Sequence, residues 1–275
     1  MLFRMVTKWR EAKRGTTMRN MAAQELTSAD ASASLAAKPA PWVEIGLTLP
    51  IFLFYHLGVI FLGIQNATDF LTRGLLRAAD GDTARYLGLT GAIAAVFAAV
   101  FAIAGRGQGF APRKFLQIAC EGVVYAVIMR ICAGFLVTKV FAGPPSIAES
   151  SRFTGMIMAL GAGFYEELAF RAILFGLGLK ALVWALTREK VKLLGARSFR
   201  ITVRSATITV VYGLLCAALF SGMHYIGELS DPFDMKSFFF RAVLGLALTI
   251  IYATRGFAAA VWTHALYDIW VLVLR

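Results

Sequence analysis

Seven stretches of this chain are each apolar over about the ~20 residues that an α-helix needs to cross a bilayer. They are 42–64, 86–104, 115–141, 155–179, 205–226, 238–254 and 257–274. A backbone in hydrocarbon satisfies its polar groups only as a helix or a closed barrel, and no series of roughly ten-residue alternating strands is present. The expected fold class is therefore all-α, a polytopic transmembrane helical bundle of about seven or eight membrane segments. The eighth would be a short or re-entrant element within 140–153, around Gly143-Pro144-Pro145-Ser146.

Composition excludes a soluble domain. Hydrophobic residues make up 59% of the 275, charged residues only 16%, and mean hydropathy is +0.69. A net charge of +12 with a pI near 10.0 would suit nucleic acid in a soluble chain, but in a membrane protein excess Lys and Arg mark cytoplasmic loops. No nucleic-acid partner is expected. Cys120, Cys132 and Cys216 lie in apolar runs without metal-ligand or Cys-x-x-Cys spacing and read as small core residues.

Residues 1–19 are basic. Leu2, Phe3, Val6 and Trp9 can share one face of a helix lying on an anionic membrane surface, and the segment reads equally as a solvated tail. A small-residue linker follows, ending at Pro41. The first apolar run starts too late and runs too long for a cleaved signal sequence. Of the 28 Lys and Arg, eighteen fall in the tail, the 105–114 loop, the 180–204 loop and Arg255; seven fall in the alternate set of loops and the C-terminus; Arg130, Arg171 and Arg241 lie within spans. This asymmetry places the N-terminus inside and, with seven spans, the C-terminus outside.

Ionisable side chains within spans cost at least ~2.5–3.5 kcal/mol on insertion scales, so each needs a partner, a wet cavity or a function. They concentrate in three places: Glu166, Glu167 and Arg171 in "EELAFR", His224 in "FSGMH", and His264 with Asp268 in "HALYD". Glu167 and Arg171 are four apart, about 40° around an α-helix, and can form an ion pair. Glu166 lies about 140° from Arg171, so it lacks that local partner in apolar surroundings, which suits a general base. Phe220 shares a helical face with His224. His264 and Asp268 are four apart, so the carboxylate can orient the imidazole or share its proton; a structural polar clamp is an equal reading.

Together, "EELAFR", "FSGMH" and "HALYD" resemble the motifs EExxxR, FxxxH and HxxxN or HxxxD of the CPBP family. These intramembrane proteases include the eukaryotic CAAX prenyl endopeptidase, the bacterial Abi proteins and the myxosortases. The resemblance covers about 155–274. Beside the basic cytoplasmic tail and linker (1–41) and the N-terminal transmembrane helices (42–154) read from composition, it marks 155–275 as a catalytic transmembrane core. It implies a glutamate-dependent intramembrane endopeptidase that hydrolyses a peptide bond near the C-terminus of a membrane-associated protein, either a prenylated CAAX-like tail or a C-terminal sorting anchor. By position, Glu166 would activate water with help from His224, His264 and Asp268 would stabilise the oxyanion, and Glu167, Arg171 and Phe220 would be supports. The prenyl endopeptidases carry Asn where this chain has Asp268. An ionised carboxylate cannot donate, so Asp268 is either protonated or only orients His264.

No cofactor is expected, and the implied partners are the bilayer and a membrane-bound polypeptide, in a bacterial inner membrane. Other readings of the same residues are a zinc peptidase, since two His and a Glu can ligate Zn²⁺, although no HExxH is present; a proton-coupled carrier, disfavoured by the lack of internal repeats; and a non-catalytic immunity or scaffold protein. His56 matches no motif and reads as a hydrogen-bonded packing residue. Arg130 has no acid at helical spacing, and Glu121 or a motif carboxylate on another helix is its candidate partner. "GRGQG" at 105–109 is a turn, as no Lys-Ser/Thr follows. Gly161, Gly163, Gly176 and Gly178 read as close-packing positions.

Overall fold

Helix after helix follows from an apolar sequence that must close its own hydrogen bonds. The computed structural model describes residues 41–63, 65–104, 113–141, 152–189, 202–227 and 230–274. Within these lie eight continuous helical segments: α1 (Pro41–Leu62), α2 (Phe70–Ala78), α3 (Thr83–Ala104), α4 (Arg113–Val140), α5 (Arg152–Thr187), α6 (Val203–Met223), α7 (Met235–Arg255) and α8 (Phe257–Leu274). All but α2 are long and apolar enough to cross a membrane, and no strand occurs among the described residues. The tail, the "GRGQG" turn, most of the 140–153 element and the middle of the 180–204 loop lie outside the described residues.

Local chemistry sets several helix ends. Asp69 caps α2 by accepting from Thr72 N at 2.8 Å, Thr202 caps α6 through Ser205 N at 3.2 Å, and Asp234 caps α7 through Ser237 N at 2.8 Å. Between α7 and α8 the chain turns at Gly256, whose φ of 105° suits glycine. The Glu44 carboxylate of α1 accepts from Phe257 N, supplying α8 with a cap from another helix. At this same end Arg255 of α7 meets Glu121 of α4 at 2.8 Å.

The centre of the bundle is α8, which packs against α1, α4, α5 and α7. Its first half is buried on nearly every side, through Ala258, Ala259, Ala260, Val261, Thr263 and Ala265, with Tyr267 buried beyond them. Small side chains let helices approach closely where van der Waals contact, rather than exclusion of water, drives association. The approach to α5 is close at Gly163, where a Cβ would lie 2.6 Å from the Ala265 Cβ and 2.8 Å from its backbone nitrogen. By contrast α3 packs at the edge, on α1 and α2, and α4 turns Val123, Val124, Ile128, Ile131 and Phe135 outward, where lipid belongs.

Two expectations are corrected. Cys120 and Cys132 are exposed on α4, and Cys216 alone of the three is buried; hydropathy does not distinguish a core-facing from a lipid-facing position, because both are apolar. Arg130 does not pair with Glu121, which is taken by Arg255; its guanidinium lies 4.9 Å from the ring centroid of Trp270, where the π-face attracts a cation. The amphipathic α2 is an addition, since nine residues are too few to register as a span.

Gly163→Ala is expected to separate α5 from α8, because the nearest atoms include backbone that cannot rotate away. A loss of about 1–3 kcal/mol should appear as a lower thermal midpoint in detergent, while an alanine at the open Gly134 should have little effect.

Candidate active site

The site forms where α5 widens. Over Ala162–Leu177 the helix is π-helical, and π segments often occur at functional sites. In an α-helix, neighbours point about 100° apart and do not face each other. A wider turn brings them closer in direction, so Glu166 and Glu167 both reach one imidazole. Glu167 Oε1 is 2.7 Å from His264 Nδ1, and Glu166 Oε2 is 3.9 Å from His264 Nε2.

Glu167, fully buried, is the hub. Its Oε1 also lies 2.9 Å from Nη1 of Arg171, 1% exposed. The arginine is held twice more: Nη2 donates to Gly245 O of α7 at 3.3 Å, and its guanidinium sits 4.1 Å from the Phe220 ring centroid. The Phe220 ring of α6 packs edge-on against Phe170, His224 and His264, with centroids 5.3, 5.2 and 6.0 Å away. One ring thus separates and spaces the charged groups of three helices.

The other side of His264 faces Asp268, with Nε2 to Oδ2 at 3.4 Å. Both imidazole nitrogens therefore face carboxylates, and only the protonated ring can donate to both. Within α8 the His264–Asp268 approach is looser than the interhelical contact to Glu167. The sequence pattern put the histidine's main partner one helical turn away; the structure puts a closer one on α5.

His224 terminates α6 rather than lying within it: it is the C-cap, and its Nδ1 donates to Phe220 O at 3.0 Å. That bond leaves Nε2 as the basic nitrogen of the neutral ring. Glu166 and His224 line two cavities, of about 1000 Å³ and about 640 Å³. The larger runs between the α1–α2 loop, α2, Tyr86 and Gly227. The smaller is walled by Phe233, Phe240, Leu244, Tyr267 and Leu272 and also contains His264 and Asp268. Glu166 lines both cavities, while its Oε2 is buried beside His264 and has no hydrogen-bond partner among the described residues.

Glu166 Oε1 does have a partner, one that no motif indicated: Asn66 of the α1–α2 loop donates its Nδ2 at 3.3 Å. The only sequence signal was a run of polar residues, Gln65, Asn66, Thr68 and Asp69, between two apolar helices. His56, 2% exposed, lies close by; its Nε2 is 2.7 Å from the Tyr165 hydroxyl and its Nδ1 is 3.3 Å from Thr72 Oγ1. Among the described residues no group of three or more His, Cys, Asp and Glu is arranged to hold a metal ion.

The arrangement assembles a carboxylate facing open space, a histidine beside it, and a second histidine clamped by a buried ion pair. Arg171→Met should remove one of the two groups that hold the buried Glu167 and lower stability by about 3 kcal/mol, measured by thermal unfolding in detergent. The double variant Glu167→Gln/Arg171→Met should recover part of that loss.

Residues 148–270 match the family model described as Type II CAAX prenyl endopeptidase Rce1-like, in agreement with the resemblance carried by the three motifs. No curated protein and no solved structure matches the chain significantly. With seven helices among the described residues long and apolar enough to cross a membrane, the chain is an integral multi-pass membrane protein.

Proposed function

From an Rce1-like region that spans residues 148–270, we propose that this protein is a glutamate-dependent intramembrane endopeptidase. The family match supports a CAAX-type membrane endopeptidase. The observation that carries the glutamate mechanism is Glu166, which lines both cavities with His224 and whose Oε2, 3.9 Å from His264 Nε2, has no hydrogen-bond partner among the described residues.

Water between Glu166 and His224 loses a proton to the Glu166 carboxylate as its oxygen attacks the carbonyl carbon. The new C–O bond forms, and the carbonyl π electrons move onto the oxygen. That oxyanion needs a donor in a water-poor site; protonated His264, its Nδ1–H held by Glu167, supplies it from Nε2–H, which the loose 3.4 Å approach to Asp268 leaves able to turn to the oxyanion. Glu166 then returns the proton to the leaving nitrogen as the C–N bond breaks. Asp268 orients His264 and does not itself donate. The groups invoked are side chains of this chain, so the reaction as written needs no cofactor.

The substrate is a membrane-associated polypeptide cut near its C-terminus. The smaller cavity has the aromatic and aliphatic walls that an apolar segment requires. His224 lies at the end of α6 opposite the basic 180–204 loop. With the N-terminus on the cytoplasmic side of a bacterial inner membrane, the site opens toward the far half of the bilayer. This favours a C-terminal sorting anchor over a cytosolic prenyl tail.

In detergent, Glu166→Gln should lower the rate of peptide cleavage by about 10²-fold or more without lowering the thermal midpoint, and chelation should leave wild-type cleavage unchanged. The same rate for Glu166→Gln as for wild type would refute the mechanism, and loss of activity on chelation would restore the zinc reading. Reporter fusions at each end should place the N-terminus in the cytoplasm and the C-terminus outside; the reverse result would move the site to the cytoplasmic half and favour a prenylated tail.

A further inference from the structure

Asn66 lies outside the region that matches the peptidase family, on a loop between the first two helices, yet its side chain touches the proposed base. We infer that Asn66 is a positioning residue that fixes the orientation of the Glu166 carboxylate, with Oε1 toward the loop and Oε2 toward His264. The inference rests on the reading of Glu166 as the base.

The amide is oriented by its other end. Asn66 Oδ1 accepts from Thr68 N at 2.9 Å and from Thr68 Oγ1 at 2.5 Å, so the NH₂ group is the end presented to Glu166 Oε1. The backbone is fixed as well. Asn66 N donates to the Tyr55 hydroxyl at 2.9 Å, and that hydroxyl donates to Asp69 Oδ2 at 2.7 Å. The other oxygen of Asp69 caps α2. Tyr55, Asp69 and Thr72 are fully buried and Asn66 is 6% exposed. A satisfied buried network of this kind specifies one arrangement, and here it ties the loop to α1 and α2 on both sides of the amide.

A glutamate needs such a constraint because its terminal torsion is soft and roughly two-fold. With Oε1 held, Oε2 is directed at His264. A neutral donor fits this position, because it orients the carboxylate without supplying the full positive charge that would oppose proton uptake. The N-terminal helices thus complete the site rather than only anchoring it.

The test uses the full-length protein in detergent, with two fluorogenic probes: a peptide ending in a farnesylated cysteine tetrapeptide and a hydrophobic C-terminal anchor peptide. Asn66→Asp keeps the oxygen that Thr68 needs and replaces only the end facing Glu166; Asn66→Ala removes both ends. Both variants should lower kcat at least ten-fold with KM within two-fold of wild type. Added to Glu166→Gln, neither should lower the rate further. In thermal unfolding, the shift caused by Asn66→Ala should be smaller in the Glu166→Gln background than in wild type. Wild-type kcat in both Asn66 variants, with Glu166→Gln inactive, overturns the inference and spares the base. Activity in Glu166→Gln overturns the base itself. If wild type cleaves neither probe, the thermal cycle decides: additive shifts overturn the contact, and non-additive shifts uphold it.

Discussion

A carboxylate, a guanidinium and an imidazole buried together inside a membrane bundle set the terms for everything around them. Glu167, Arg171 and His264 have almost no exposure, and each alone would be expensive to bury. Together they compensate one another only while α5 and α8 stay in register. The glycine at 163, the alanine face of α8, the Phe220 ring and the Gly245 carbonyl all serve that register. Glu166 projects from the same wide turn, so whatever holds Glu167 also aims its neighbour.

Polar fastenings occur at both ends of the bundle. At one end Glu44 caps α8 and Glu121 holds Arg255. At the other, Asp69, Tyr55, Asn66, Thr72 and His56 tie α1, α2 and their connecting loop together beside the cavities. Helices that meet largely through small side chains gain little from exclusion of water, and interhelical hydrogen bonds help fix their partners. The N-terminal helices are thereby coupled to a site whose motif residues all lie elsewhere.

Much of this was legible in the sequence, for a definite reason. Hydrocarbon forces spans into helices of nearly fixed length, so apolar runs alone located all seven, within a few residues at most ends. Charges are costly in such spans, so the motif residues stood out against their surroundings. The pairing of Glu167 with Arg171 followed from spacing of four and survived the change to π geometry. Spacing could not reveal Glu167 reaching across to His264, since a contact between helices leaves no periodicity in either.

Asn66 and Arg130 show the same limit from opposite directions. A polar residue in a loop carries no penalty that would draw notice, so Asn66 looked ordinary until folding brought it to Glu166. Arg130 did draw notice, but Glu121 is taken by Arg255, and an aromatic face meets the guanidinium instead. The sequence by itself determined a multi-pass helical protein and most of the ionisable groups gathered at its site, because bilayer solvation acts on each segment separately. Tertiary structure alone decided which oxygen faces which nitrogen, because that depends on how closely glycine and alanine allow separate helices to approach.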